Sequence, residues 1–295
     1  MSRALRLREL AQITDGSLLD LAVITPDGLE SWKAETANTC NNGHSTIKLF
    51  VSVCIGMLWD AGVLDLQEKA AALFPACWTA EMDPRWRDVT VENVLRHRIG
   101  FEAVHIDYEG ETVCCGGEDS LITLFRTPLP HPQGSFYRYS DAAYYLLARI
   151  IEVKAGMTLE AFIRRQLARP MGFRDFAIAS DPLGHTLGGG CMYARAGDMA
   201  KLGYLLACHG IWEGRRLLSD GYIQQMQANE WGLTHFRDSE LYVKTGAYGQ
   251  GIAFSCRRPL AAAWHRAPYA VRPVPDRNDM MLESLERLIA QENRR

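Results

Sequence analysis

The sequence contains no apolar run long enough to span a bilayer, which requires about 20 residues. It also lacks a marked excess of either charge: the net charge is −3, and no basic cluster stands out along the chain. We therefore expect neither a membrane nor a nucleic acid as a partner. Hydrophobic residues make up 47% of the chain and charged residues 23%, which is typical of a globular protein with one large domain or two closely packed lobes.

The sequence also lacks the cysteine spacing of a metal site, since no Cys-x-x-Cys pair occurs among its eight cysteines. The histidines form no metal-binding spacing either, so we predict no metal and no cofactor. Cys114 and Cys115 are adjacent, and we interpret them as reduced thiols rather than a redox switch. The first residues lack the apolar core and cleavage site of a signal peptide, which leads us to predict a cytoplasmic location.

A serine and a lysine three residues apart, Ser45 and Lys48, open an apolar run that ends near Trp59. The run predicts a buried helix over about 45–59. Residues i and i+3 lie on one side of a helix, so the lysine amine can reach the serine hydroxyl. Burial disfavours the charged lysine, and a neutral amine could take a proton from the serine. Because a serine at a helix start is usually only a cap, this pair alone is weak evidence for catalysis.

Two further motifs follow in order: Tyr139-Ser140-Asp141, before an aromatic and aliphatic helical run, and Lys244-Thr245-Gly246. This order of motifs resembles that of the serine β-lactamase and penicillin-binding-protein family, which has Ser-x-x-Lys, then a Tyr or Ser motif, then Lys-Thr-Gly. The chain is most similar to the branch of class C β-lactamases, D,D-peptidases and family VIII esterases. The segments 89–97 and 188–206 also resemble this family, and the likeness extends from about Leu18 to about His265.

Strand patterns occur at both ends of the chain, at 18–25 near the start and at 241–244, 251–255 and 260–264 near the end. A helix is predicted from Gly190 to about His209, and another in the C-terminal tail. The pattern between 62 and 187 is helical, with Pro- and Gly-rich loops. These elements favour one antiparallel sheet built from both chain ends.

The fold that the resemblance implies agrees with this arrangement. It is an α/β fold of the α+β type, with an antiparallel sheet flanked by helices and an inserted all-helical lobe, like β-lactamases and transpeptidases. We assign 1–60 and 191–295 to the sheet lobe and 61–190 to the helical lobe. The active site is expected in the cleft between them.

The resemblance also implies roles for individual residues. Ser45 would be the nucleophile that forms an acyl-enzyme, and Lys48 its general base or the group that holds the proton network in place. Tyr139 would carry the second proton, with its pKa lowered by neighbouring cations. Lys244 and Thr245 would bind the substrate, and Gly246 would let the strand approach it closely. The backbone amides of Ser45 and Ala247 would form the oxyanion hole.

The second motif allows another alignment, in which Ser140-Asp141-Ala142 matches the Ser-Asp-Asn of class A β-lactamases. We prefer the tyrosine alignment because the helical run after it matches the class C pattern. Class A enzymes also use a glutamate in a Glu-x-x-Leu-Asn setting, and the sequence has none. A Gly-x-Ser-x-Gly elbow is excluded as well, because the segment 43–47 lacks the closing glycine.

Asp141 departs from the family pattern, which usually has asparagine at this position. An ionised aspartate only accepts hydrogen bonds, whereas an asparagine also donates. We expect Asp141 to bind substrate at the cleft mouth and to favour an ammonium group on the acyl side. The alternative is that Asp141 turns inward and pairs with Lys48 or a backbone amide.

These observations predict a serine hydrolase that acts on an ester or amide through a covalent acyl-enzyme, with a small-molecule substrate. Two alternatives remain open. The same acyl-enzyme could be resolved by an amine or alcohol, as in an acyltransferase or peptide-releasing thioesterase. A non-catalytic relative could instead sense a ligand.

Overall fold

The computed structural model describes residues 1–12, 16–103, 119–267 and 277–292. Cys114, Cys115 and His105 lie outside the described residues. The helices of the described part are α1 (Arg3–Ala11), α2 (Ile47–Asp60), α3 (Val91–Leu95), α4 (Ser120–Arg126), α5 (Asp141–Ala155), α6 (Leu159–Ile163), α7 (Ala196–Ala207), α8 (Asp220–Asn229) and α9 (Arg277–Glu292).

The strands of the described part comprise two at the start of the chain and nine later ones. They are β1 (Leu18–Thr25), β2 (Gly28–Lys33), β3 (Asn41–Asn42), β4 (Phe176–Ile178), β5 (Met192–Ala194), β6 (Ile211–Trp212), β7 (Arg215–Arg216), β8 (Thr234–His235), β9 (Leu241–Thr245), β10 (Gly251–Ser255) and β11 (Ala261–Arg266).

The main sheet has six antiparallel strands in the order β2-β1-β11-β10-β9-β8. It joins strands from both chain ends, because β1 pairs with β11. The prediction of an antiparallel sheet flanked by helices is confirmed. Strands β1, β10 and β11 are almost entirely buried because both faces of the sheet are covered there, whereas the edge strands β2 and β8 are largely exposed.

Alternate side chains of β1 point into two separate hydrophobic cores. Leu21 and Val23 join a cluster with the terminal helices α1 and α9, whereas Ala22 and Ile24 join the large cluster that contains α2, α5 and α7. The period of two in a strand produces this division. Strand β9, which carries the Lys-Thr-Gly motif, is held between β10 and β8.

Helix α2 lies deep in the larger core, and its residues are buried around almost the whole circumference. It packs against α5, which follows the tyrosine motif, and against α6 and α8. Helix α5 ends at Gly156, whose left-handed φ of 65° forms the cap expected from the sequence. The two helices that carry or follow the first two motifs are therefore direct neighbours.

The structure differs from the sequence-based prediction in three places. Ser45 lies in a 3₁₀ turn, His44–Thr46, and the α-helix begins only at Ile47. The helix predicted from Gly190 begins at Ala196, because 192–194 forms β5 between β3 and β4. Strand β4 also lies within the segment 61–190, which was expected to be all helical. The division into lobes at 60 and 190 stays a prediction.

Candidate active site

The turn that carries Ser45 is fixed by backbone contacts on both sides. The amide of Gly43 donates to the carbonyl of Met192 at 2.8 Å, and the amide of His44 donates to Oδ1 of Asn42 at 2.8 Å. His44 takes a left-handed φ of 49°, which reverses the chain just before Ser45. These contacts place Ser45 at the start of α2 with only 9% of its surface exposed.

Lys48 is fully buried, and its ammonium has three oxygen partners. Nζ lies 3.0 Å from Oγ of Ser45, 2.5 Å from Oδ1 of Asp141 and 2.5 Å from the carbonyl oxygen of Gly189. A protonated lysine has three hydrogens, so these three acceptors use all of them. The partners of Lys48 are therefore one carboxylate and two neutral oxygens.

The structure brings Tyr139 between the two lysines of the motifs. Nζ of Lys48 and Nζ of Lys244 each lie 4.8 Å from the centre of the Tyr139 ring, and Lys244 donates to its hydroxyl at 3.1 Å. Burial raises the pKa of Tyr139, but both ammonium groups and hydrogen bonds with Ser45 and Lys48 lower it by more. The pKa of Tyr139 therefore lies below its ordinary value, as the resemblance implied.

Lys244, near the end of β9, has a pKa below its ordinary value. Loss of hydration is the largest cause, and the charge of Lys48 acts in the same direction. Tyr139 and Asp141 partly offset both by favouring the ammonium. Lys244 therefore keeps its charge less readily than a solvated lysine does.

Gly246 shows why the third motif needs a glycine. A Cβ built there would lie 2.6 Å from the carbonyl oxygen of Gly43 and 3.1 Å from the Cβ of His44. The end of β9 thus lies directly against the turn that carries Ser45, with no room for a side chain. Ala247 follows in a tight turn that is closed by a hydrogen bond from Gly249 to Gly246. The oxyanion-hole role of the Ser45 and Ala247 amides and the substrate-binding role of Thr245 stay predictions.

Asp141 was predicted at the cleft mouth, but in the structure its side chain turns inward. Its carboxylate contacts Lys48, and only 13% of its side chain is exposed. The cause is the approach of the Gly188–Gly190 segment, because a Cβ on Gly189 would lie 2.6 Å from the Cβ of Asp141. This segment closes over the start of α5 and leaves the carboxylate facing Lys48. The inward alternative is therefore the arrangement observed.

Two residues of the site were not assigned a role in it from the sequence. Gly189 supplies a carbonyl to Lys48, and the only signal was the run of three glycines. His97 is buried and lies against the rings of Tyr139 and Tyr144, at centroid distances of 4.6 and 4.9 Å. Burial and the two lysine charges hold the pKa of His97 well below its usual value. Its Nδ1 accepts a hydrogen bond from the amide of Ser140, so a neutral imidazole supports the tyrosine.

Three exposed tyrosines lie beside residues of this site. Tyr137 packs on His97, Tyr248 packs edge-on to His44 at 4.8 Å, and Tyr193 pairs in register with Asn42. We call Tyr137, Tyr193 and Tyr248 the aromatic rim. Exposed aromatic side chains offer apolar contact area to a ligand while each hydroxyl stays in water.

In the part of the chain that the structure describes, no cluster of three metal-ligating side chains is present. The described helices also include none that is both long and apolar enough to cross a membrane. The geometry is instead that of a serine hydroxyl surrounded by two amines, a phenol and a carboxylate. Such a set can activate a serine and stabilise negative charge without a metal ion.

Known proteins match this chain in sequence and in fold. A family model described as Beta-lactamase matches residues 11–266. Penicillin-binding protein 4 from Amycolatopsis lactamdurans is 27% identical over 169 residues, which cover 55% of this chain and 42% of that protein. The matched region thus spans less than half the length of this curated relative.

Two solved structures share the fold. A family VIII carboxylesterase superimposes with a TM-score of 0.74 at 15% identity, covering 98% of both chains. EstCE1, described as a hydrolase with promiscuous acyltransferase activity, has a TM-score of 0.75 at 15% identity and covers 96% of this chain and 98% of its own. At these identities the likeness establishes the fold.

Proposed function

This chain belongs to the Beta-lactamase family, a family of hydrolases, and from that premise we propose that it is a serine hydrolase that forms an acyl-enzyme on Ser45. The substrate class we propose is a small ester or amide. The observation that carries the proposal is the 3.0 Å contact between Oγ of Ser45 and Nζ of Lys48, next to a tyrosine whose pKa is lowered. A serine hydroxyl needs such neighbours to become a nucleophile.

Tyr139 is the general base in this proposal. Lys48 donates to three other acceptors, and its positive charge lowers the pKa of the phenol. The phenolate of Tyr139 takes the proton of Ser45 as Oγ bonds to the substrate carbonyl carbon. The carbonyl electron pair moves to its oxygen, which becomes the oxyanion of the tetrahedral intermediate.

The second half of acylation returns the proton. The bond to the leaving group breaks, and Tyr139 gives its proton to the departing oxygen or nitrogen. The product is an ester between the acyl group and Ser45. Water then repeats the sequence: Tyr139 accepts its proton, the water oxygen attacks the acyl carbon, and Ser45 is released with the proton back on Oγ. The amides of Ser45 and Ala247 would stabilise the oxyanion, an effect of typically about 3 kcal/mol per donor.

The charges around Ser45 favour certain substrates. Lys48 and Asp141 neutralise each other, which leaves Lys244 as the cation able to attract an anionic or strongly polar group. The aromatic rim supports an apolar acyl or alcohol part. The resemblance in fold to a family VIII carboxylesterase agrees with an ester as the preferred bond.

Acyl transfer is a second candidate. The exposed rim leaves space for an amine or alcohol to attack the acyl-enzyme in place of water. The similar fold of EstCE1, a hydrolase with promiscuous acyltransferase activity, supports testing for it. Adding an alcohol acceptor to an ester assay would distinguish the two outcomes, because transfer yields a new ester and hydrolysis yields only the acid.

The decisive experiment is intact-mass labelling with a fluorophosphonate, followed by turnover of a panel of aryl esters, D-amino-acid amides and cephalosporins. We expect one label per chain, on Ser45, and turnover of at least one ester. If the fluorophosphonate did not label the folded protein and no compound of the panel were turned over, the non-catalytic, ligand-sensing alternative would be favoured.

A further inference from the structure

A groove of about 800 Å³ lies at the far end of α2 from Ser45. Its floor comes from the ends of α2 and α5 and from α6, and one wall comes from the β6–β7 hairpin. Met57 is twelve residues after Ser45, so the groove begins roughly 18 Å along the helix axis from the nucleophile. None of the residues assigned to the acyl-transfer chemistry lines it.

The lining of this groove is apolar at the floor and basic at the rim. Met57, Leu58, Met157, Phe162 and Leu217 are among its apolar residues. The charged residues that line it are all cations, and no carboxylate contributes to the lining: Lys154, Arg165, Arg169, Arg215 and Arg216. We call this surface the basic groove.

Three of these cations keep their charge available to a ligand. Lys154 is paired with Glu68 at 2.6 Å, and Arg216 donates to the carbonyl of His209. Among the described residues, no ion pair is formed by Arg165, Arg169 or Arg215. All three side chains are exposed and line the groove, and a guanidinium group is well suited to bind a phosphate or carboxylate.

A distortion of the backbone contributes two of the three. Residues Arg164–Ala168 form a π-helical turn directly after α6, closed by a hydrogen bond from the amide of Arg169 to the carbonyl of Arg164. Such turns are rare and are frequent at functional sites. Here Arg165 lies within the turn and Arg169 directly follows it, and both line the groove.

We propose that the basic groove binds a single anionic amphiphile, a molecule with a phosphate or carboxylate head and an alkyl chain. The apolar floor would hold the chain, and Arg165, Arg169 and Arg215 would hold the head. The volume lies in the range of pockets that hold one small ligand, and the cations of the lining match the charge of an anionic head. This binding is independent of the proposed hydrolase activity.

The test is calorimetric titration of the full chain with dodecyl phosphate below its micelle concentration. We expect one molecule bound per chain, with an affinity at least about tenfold higher than for dodecyltrimethylammonium or for butyl phosphate. Inorganic phosphate alone should bind weakly, because it cannot use the apolar floor. Equal binding of the cationic detergent, or no binding of dodecyl phosphate, would overturn the proposal.

Charge reversal locates the site. Arg169→Glu should lower the affinity for dodecyl phosphate by about tenfold or more. The matched control is Arg257→Glu, in the turn between β10 and β11, where the side chain is exposed; this variant should leave the affinity unchanged. Arg215→Glu provides a second reversal on another element if Arg169→Glu fails to fold. Equal affinities in the groove variants and in Arg257→Glu would show that binding occurs elsewhere and contradict the proposal.

One further variant separates this inference from the proposed function. Ser45→Ala should bind dodecyl phosphate as tightly as the unmodified chain. Loss of binding in that variant would mean that the amphiphile occupies the active site and not the basic groove.

Discussion

The ammonium of Lys48 and the carboxylate of Asp141 form an ion pair at 2.5 Å, and Nζ of Lys48 also lies 3.0 Å from Oγ of Ser45. The lysine is fully buried and the aspartate nearly so, and such a pair is strongly destabilised when one partner is removed. An asparagine at this position would leave the ammonium without a counter-charge. In the proposed mechanism Tyr139, rather than Lys48, is the base for Ser45, because the pKa of Tyr139 lies below its ordinary value.

Ser45→Ala should abolish acylation. The variant lacks the only oxygen that Lys48 and Tyr139 can activate, and we expect kcat/KM on an aryl ester to fall by at least about a thousandfold. Fluorophosphonate labelling followed by intact-mass measurement checks this. Ser52→Ala is the matched control, because Ser52 lies on the same helix and its Oγ contacts the hydroxyl of Tyr144. Full labelling of Ser45→Ala would refute the assignment.

Tyr139→Phe should keep the ring on His97 and remove only the hydroxyl. If Tyr139 is the general base, kcat should fall by about 10²–10⁴-fold, with KM little changed. Tyr204→Phe, which removes a hydroxyl on α7 outside the site, serves as control. If the Tyr139→Phe variant kept most of its activity, Tyr139 would not be the base, and Lys48 would be the remaining candidate.

The pH dependence of kcat/KM should be bell-shaped. Activity rises with pH as Tyr139 loses its proton, at a pKa below its ordinary value. It falls again as Lys244 loses its charge, also at a pKa below its ordinary value. Tyr139 and Lys244 interact, so the two apparent pKa values of the profile belong to the pair and not to either residue alone. In Lys244→Arg the guanidinium stays charged, and the alkaline limb should move upward or vanish; an unchanged alkaline limb would argue against Lys244 as its source.

Asp141→Asn should slow all substrates alike. The variant removes the buried counter-charge of Lys48, so we expect about a tenfold or larger loss in acylation rate with amino-substituted and neutral acyl groups. The ratio between these two substrate types should stay constant, because the carboxylate faces Lys48. The matched control is Asp220→Asn, which also changes the first residue of a helix after a serine cap. A change in the ratio of the two acylation rates would indicate that Asp141 selects substrates directly.

Gly189→Ala should disrupt the site, whereas Gly190→Ala should not. A Cβ at 189 would meet the backbone and Cβ of Asp141 below 3.0 Å, and backbone atoms cannot move aside cheaply. We expect loss of the Lys48 contact to the Gly189 carbonyl and a fall in kcat of at least about tenfold. At Gly190 nothing lies within 4 Å of the added carbon. Equal activity of the two variants would show that the close approach is not needed.

The sequence by itself determined the parts of the site that depend on short spacing. Ser45 and Lys48 are three residues apart at the start of an apolar run, and a helical geometry brings their side chains together whatever the remainder of the chain does. The order of three motifs indicated the family, and the strand patterns near both chain ends indicated the antiparallel sheet. Both follow from local patterns: strand and helix periodicity, and residue types at fixed offsets.

Only the tertiary structure decided the orientation of Asp141, since it depends on the Gly188–Gly190 segment closing over α5 from 47 residues further along the chain. The short strand β5 also escaped the sequence pattern, because pairing with β3 and β4 overrides the helical tendency around it. The same holds for the basic groove. Its cations come from α5, the π-helical turn and β7, and they form a cluster only when the chain folds, so no basic patch was visible along the sequence.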